Sequence, residues 1–217
     1  MNDFLEYRDA KGREIERRLV ALSGIRANDP NETPSISGHA AVFNEWSVDL
    51  GFMGELREEV APGAFTDTLT KIDQRMLFNH DSNFVLGRKS AKTLELNEDS
   101  KGLAYLNYPP NTNWANDLLV SIKRGDINQM SFAFVAVEDA WRYDRETQIT
   151  YRTLLKVDLY EVSLVTFPAY PQTSANVRAR VQGLRDEARS GLAPAQPSLV
   201  QEHIGMARRK LALLEIE

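Results

Sequence analysis

The chain is 217 residues long, 42% hydrophobic and 26% charged, with a net charge of −5 and a pI of about 5.4. Such a length suits one globular domain of up to about 200 residues with an appendage, and the acidic balance speaks against a nucleic-acid binder that works by neutralising phosphates. With no cysteine, no apolar signal core in "MNDFLEYRDAKGREIERR" and no apolar run of the roughly 18 residues that span a membrane, disulfides, thiolate zinc sites, secretion and a membrane span are not expected, and a cytoplasmic protein is.

In chain order, "REIERRLVAL" (13–22) reads as a strand, with Ile15, Arg17, Leu19 and Ala21 on one parity. "ANDPNETPS" (27–35) is a loop, and "ISGHAAVFN" (36–44) is the next strand, where Gly38 allows a bulge. "EEVAPGAFTDTLTKI" (58–72) predicts a helix, with Pro62 at a first helical position and Phe65, Leu69 and Ile72 at helical spacing. "RMLFNHDSNFVLGRKS" (75–90) holds two short apolar runs broken by Asn79-His80-Asp81-Ser82-Asn83, and 92–109 alternates around a "NEDSKG" turn like a hairpin. "NTNWANDLLVSIKRGD" (111–126) is an amphipathic helix with Asn113 as N-cap, Lys123 and Arg124 in its last turn and Gly125 closing it. "NQMSFAFVAVE" (128–138) follows as a strand that is apolar on both faces, and 148–171 gives two more strands with a break near Asp158.

These elements predict a mainly β chain with helices (α+β), as an antiparallel β-barrel ringed by short helices. The predicted domain covers residues 1–179. Residues 180–217 read as a charged stretch, a Pro/Ala linker and an amphipathic helix whose seam is Val200, Ile204, Ala207, Leu211 and Leu214.

No nucleotide-binding glycine loop, zinc-protease, α/β-hydrolase or lactamase motif occurs, and His39, His80 and His203 lie in different segments, so neither a metal nor a cofactor is expected. Three residues stand out. Ser131 is a hydroxyl in a buried strand, which suits a structural serine bonded to backbone as well as a nucleophile. His80 sits among polar neighbours between apolar runs, either as a satisfied structural histidine or at a cleft. Glu161 is a carboxylate within "LYEVSLVTF", on one alternation face with Leu159, Ser163, Val165 and Phe167, and its burial requires a partner, a cation or a histidine. A nucleophilic hydroxyl needs a base within hydrogen-bond reach, and the imidazole needs a third group to fix its tautomer; these residue types meet that requirement.

The blocks "ISGHAAVFNEWS", "EEVAPGAFTDTL", "LFNHDSNFVLGR", "IKRGDINQMSFAF" and "LYEVSLVTFPAYPQTSA", in this order, resemble the prohead (capsid maturation) proteases of tailed bacteriophages, of the HK97 type. The resemblance runs from about residue 15 to about residue 177. It implies a serine endopeptidase with the fold of the herpesvirus assembly proteases, His80 of the "NHD" block as base and Ser131 of the "MSFAF" block as nucleophile. The second histidine of the herpesvirus enzymes has no counterpart between Ser131 and His203, so Glu161 of the "LYEVS" block is taken as third member, with Asp158 as fallback. Backbone amides after Glu161 are the expected oxyanion donors. The implied substrates and partners are the scaffold, the scaffolding segment of the major capsid protein and the enzyme itself, inside the prohead in the host cytoplasm. No nucleic acid or membrane is expected, and a homodimer is allowed. The tail past 180 would be a packaging handle or a self-cleaved segment. The rival readings are a shell-associated or scaffold-fused structural protein without catalysis, and a hydrolase of small esters with the same triad.

Overall fold

The structure, a computed structural model, describes residues 8–20, 26–27, 34–51, 55–167 and 175–190. In chain order these form β1 (Glu16–Val20), β2 (Arg26–Ala27), β3 (Ile36–Val42), β4 (Leu56–Val60), α1 (Thr68–Lys71), β5 (Arg75–Phe78), β6 (Asp81–Arg88), β7 (Leu94–Glu98), β8 (Gly102–Asn107), α2 (Asn113–Arg124), β9 (Gln129–Tyr143), β10 (Thr150–Val165) and α3 (Ala175–Arg189). Mostly strands with few helices, this is a mixed α+β chain.

The expected single barrel is two sheets among the described residues. One has the order β1-β9-β10-β5-β6 with β4 also on β10, and the other the order β2-β3-β8-β7. Neither closes on itself among the described residues; the second is antiparallel throughout, and the first is mixed, because β10 takes β4 and β5 as parallel neighbours. The reason lies in the edge of β10. Its first part, Thr150–Leu154, pairs with β4, and its last, Glu161–Leu164, with β5. Between them the edge is satisfied piecemeal: Ala61 N–H donates to Leu154 O (3.0 Å), Val157 N–H to Ala64 O (3.0 Å) and Leu159 N–H to Thr68 Oγ1 (2.8 Å). Buried backbone groups must be paired, and here a turn and the Thr68 side chain replace a strand. The break expected near Asp158 is therefore a set of bulges inside one 16-residue strand.

The helix expected to begin at Pro62 is turn through Asp67 and helix only over Thr68–Lys71, and before it Leu56–Val60 is strand β4 with Leu56, Glu58 and Val60 turned inward. Helix α2 begins one residue after Thr112, its N-cap, rather than after Asn113, and ends as expected at Gly125 with φ 84°. The bulge of β3 falls at Ala40, between His39 and Ala41, not at Gly38. Gly102 admits no side chain, because a Cβ there would lie 2.0 Å from the Ala41 carbonyl oxygen.

The core joins the two sheets. Met130, Phe132 and Phe134 of β9 and Leu159, Val162 and Leu164 of β10 meet Ile36, Leu94, Leu103 and Tyr105, with the apolar stripe of α2 closing the layer. Phe65 from the turn before α1 reaches into it and meets Phe132 edge to face, with ring centroids 5.8 Å apart. Helix α3 crosses residue 179, and Val177 and Val181 pack on Leu50, Leu56 and Trp141. The seam Val200–Leu214 lies outside the described residues.

Candidate active site

His80 is placed by a two-residue hairpin turn. Phe78 of β5 pairs with Asp81 of β6, and the residues between them, Asn79 and His80, have φ of 53° and 59°. Two positive φ angles suit a type I′ turn, whose twist matches the strands it joins. Asparagine and histidine are among the few side chains that enter this region at modest cost. Asn79 also ties the turn to β10: its N–H donates to Leu164 O (2.8 Å), and its Oδ1 accepts from Thr166 N–H (2.9 Å). Asn79→Ala should therefore lose about 2 kcal/mol, from left-handed strain and the lost side-chain bonds. Asn79→Gly should lose less, because glycine carries no strain there. Urea midpoints compare the two, and equal losses would exclude strain as a cause.

Ser131 and Glu161 are placed by strand register. Leu19, Ser131, Ser163, Leu77 and Val85 lie in one row across β1, β9, β10, β5 and β6. Directly opposed residues project from the same face, so this row faces away from Phe132 and Phe134. Glu161, opposite Ala133, belongs to the same face. Leu159 does not, contrary to the alternation of the sequence. It pairs with Phe134 and points into the core, because Tyr160 is the extra residue of a bulge. The carbonyl of Leu159 accepts from Gln74 Nε2 (3.4 Å), which also donates to Thr68 O (2.9 Å), so buried side chains hold the bulge from the core side.

The partner that Glu161 needs is His80. Its Oε1 meets His80 Nδ1, and its Oε2 accepts from Ser163 Oγ (2.5 Å). Nδ1 beside a carboxylate carries the ring proton in the neutral imidazole, which leaves Nε2 as an acceptor. Among the described residues, His80 Nε2 and Ser131 Oγ are both buried without a hydrogen-bond partner, and they do not bond each other. Ser163, which faces Ser131 across the strand pair, also accepts from the His80 N–H (3.3 Å). Asp158, the fallback third member, does not reach the histidine: its carboxylate holds Arg13 at 2.7 Å. The acidic neighbour Asp81 serves the local turn, with Oδ1 accepting from Asn83 N–H at 2.8 Å.

Residues 162–164 have partners on both edges and Thr166 N–H is given to Asn79, so these amides serve the sheet, while the segment past Phe167 lies outside the described residues. Two site residues escape the sequence reading. Ser163 looks like any serine in an apolar strand. Gln129, two residues before Ser131 and on its face, has a buried Oε1 without a partner, and only its parity with Ser131 could have marked it. Among the described residues no cluster of histidine and carboxylate side chains could hold a metal ion, and no helix is long and apolar enough to cross a membrane.

A family model described as caudovirus prohead serine protease matches residues 23–185. Among solved structures, the bacteriophage T4 capsid assembly protease aligns with a TM-score of 0.44 and 11% identity, over 69% of this chain and 98% of that one. No curated protein sequence matches the chain.

Proposed function

The chain belongs to the caudovirus prohead serine proteases, and from that premise we propose that it is a serine endopeptidase in which Ser131 is the nucleophile, His80 the general base and Glu161 the group that orients the imidazole. One observation carries the assignment. A buried hydroxyl and a buried imidazole nitrogen of opposite hydrogen-bonding character both lack partners, on a histidine whose other nitrogen is held by a carboxylate. Leaving a buried polar group unpaired costs about 1–3 kcal/mol, and functional sites are where such a cost persists.

The chemistry is acyl transfer. Nε2 takes the Ser131 proton as Oγ adds to the scissile carbonyl carbon, and the imidazolium is balanced by Glu161. The same proton goes to the departing amine as the C–N bond breaks. Water then attacks the ester, giving its proton to Nε2, and Oγ–H is restored as the acid product leaves.

The finer reading keeps the implied biology: cleavage of scaffold or of the scaffolding segment of the major capsid protein, and of the enzyme itself, inside the prohead in the host cytoplasm. It also keeps a fold kinship with the herpesvirus assembly proteases and a protease domain of residues 1–179, with 180–217 as a packaging handle or self-cleaved tail. Two experiments test it. A fluorophosphonate should label the protein once, at Ser131, as located by peptide mass spectrometry. Co-expression with the major capsid protein of the same phage should yield defined fragments of that protein. Labelling elsewhere, or an intact capsid protein beside folded enzyme, would remove the assignment.

A further inference from the structure

We propose that Ser163 is a positioning residue of this site, a single hydroxyl that fixes both the carboxylate of Glu161 and the turn that carries His80. The inference rests on the functional reading above. Ser163 is fully buried, faces Ser131 on β9 and Leu77 on β5, and has its Oγ committed in both directions. It accepts from the His80 N–H at 3.3 Å and donates to Glu161 Oε2 at 2.5 Å. Its cross-strand neighbour Ser131 has a free Oγ. Side chains opposed in this way lie about 5 Å apart at Cβ. Two serines thus sit side by side with opposite duties, one left reactive and one saturated.

The physical need is clear from the carboxylate. The last torsion of a glutamate is broad and close to two-fold, so one contact to Nδ1 does not fix the plane of the group. A donor on the second oxygen does. The same donor draws charge from the carboxylate and weakens it as an acceptor for the imidazole proton. Removing it should leave the carboxylate plane unfixed and change the contact it makes with Nδ1. The charged groups on the surrounding elements are already engaged or distant in register. Asp81 on β6 serves Asn83, and Arg75 on β5 turns to the Asp73 carbonyl at 2.9 Å. Arg17 on β1 lies opposite Ala133, one strand beyond Glu161, and Glu161 itself is the charge at the ring.

Ser163→Ala should lower kcat about 10- to 100-fold, the usual range for an outer partner of a catalytic group, with KM little changed. In a Glu161→Gln background the substitution should cost almost nothing more, because the group it orients has gone. Ser163→Thr, which keeps the hydroxyl, should recover part of the rate. A readout free of activity is the proton NMR resonance of His80 Nδ1–H, which should move in Ser163→Ala and less in Ser163→Thr. An unmoved resonance, or full additivity with Glu161→Gln, would overturn the proposal. A wild-type protein that cleaves nothing would overturn the functional reading instead, while the shifted resonance would still support Ser163 as the clamp.

Discussion

Ser131→Ala should lose peptidase activity by about 10⁴- to 10⁶-fold and lose no stability. The first half follows from the nucleophile, since what remains after its removal is binding and electrostatic assistance alone. The second half is the sharper discriminator. A structural serine in a buried strand is hydrogen-bonded, and its removal costs about 1 kcal/mol. The Ser131 hydroxyl is fully buried and bonded to none of the described residues, so taking it away removes a penalty. The variant should melt at or above the wild-type temperature. For the base, His80→Asn is the cleaner change than alanine, because residue 80 has φ 59° and asparagine tolerates the left-handed region. It should be as slow as Ser131→Ala, and the double variant no slower than either, since the two act as a unit. Capsid-protein cleavage followed by gel and mass spectrometry, beside thermal melts, reads both halves. Cleavage at wild-type rate, or a Ser131→Ala protein destabilised by 1 kcal/mol or more, would return Ser131 to the core as an ordinary bonded serine.

The residues of the site were legible in the sequence to different depths, and the differences have physical causes. Ser131 and His80 announce themselves locally, as a hydroxyl in a two-faced apolar strand and a histidine in a polar break between apolar runs. Glu161 announces a debt, because a carboxylate in an apolar strand must find a partner, and the partner is His80. Leu159 was wrongly placed on that face because strand alternation assumes no bulge. The backbone of Leu159 is held by Thr68 and Gln74, about ninety residues away in sequence, and the extra residue Tyr160 by its Oη–H donating to Asp9 at 3.0 Å. No local pattern carries that information. The barrel failed for a related reason: periodicity finds strands but not which edges they use, and β4 and β5 pair in parallel with β10, from which they are separated by several intervening elements. Strand β4 was hidden because its central inward residue, Glu58, is charged, and an inward charge breaks the apolar alternation by which strands are recognised.

That inward charge leads to the largest stability effect expected in the molecule. Arg152→Met should destabilise the protein by about 3–5 kcal/mol, because it removes one centre of a buried network and leaves the others unbalanced. Arg152 Nη1 donates to Glu16 Oε2 (2.7 Å) and Glu58 Oε2 (2.9 Å), Nη2 to Glu16 Oε1 (3.0 Å), and Nε to Asp139 Oδ2 (2.7 Å). Arg18 completes the set on Glu58 Oε1 at 2.6 Å and Glu16 Oε2 at 2.5 Å. Four strands, β1, β4, β9 and β10, are locked together by these bonds. Burial alone would push the Glu16 carboxyl up, but Arg18 and Arg152 outweigh it and hold it below the ordinary glutamate value. A depressed folded value stabilises above the unfolded pKa of about 4.3, and the contribution is lost as pH falls through the folded value. Wild-type stability should therefore decline below about pH 4. Without Arg152 the sign reverses, because one arginine then faces two buried carboxylates, and proton uptake relieves the excess charge. The gap between Arg152→Met and wild type should narrow from pH 7 to pH 5. Urea unfolding at the two pH values measures it, and a gap under 1 kcal/mol, or one that does not change with pH, would show that the network does not hold the four strands.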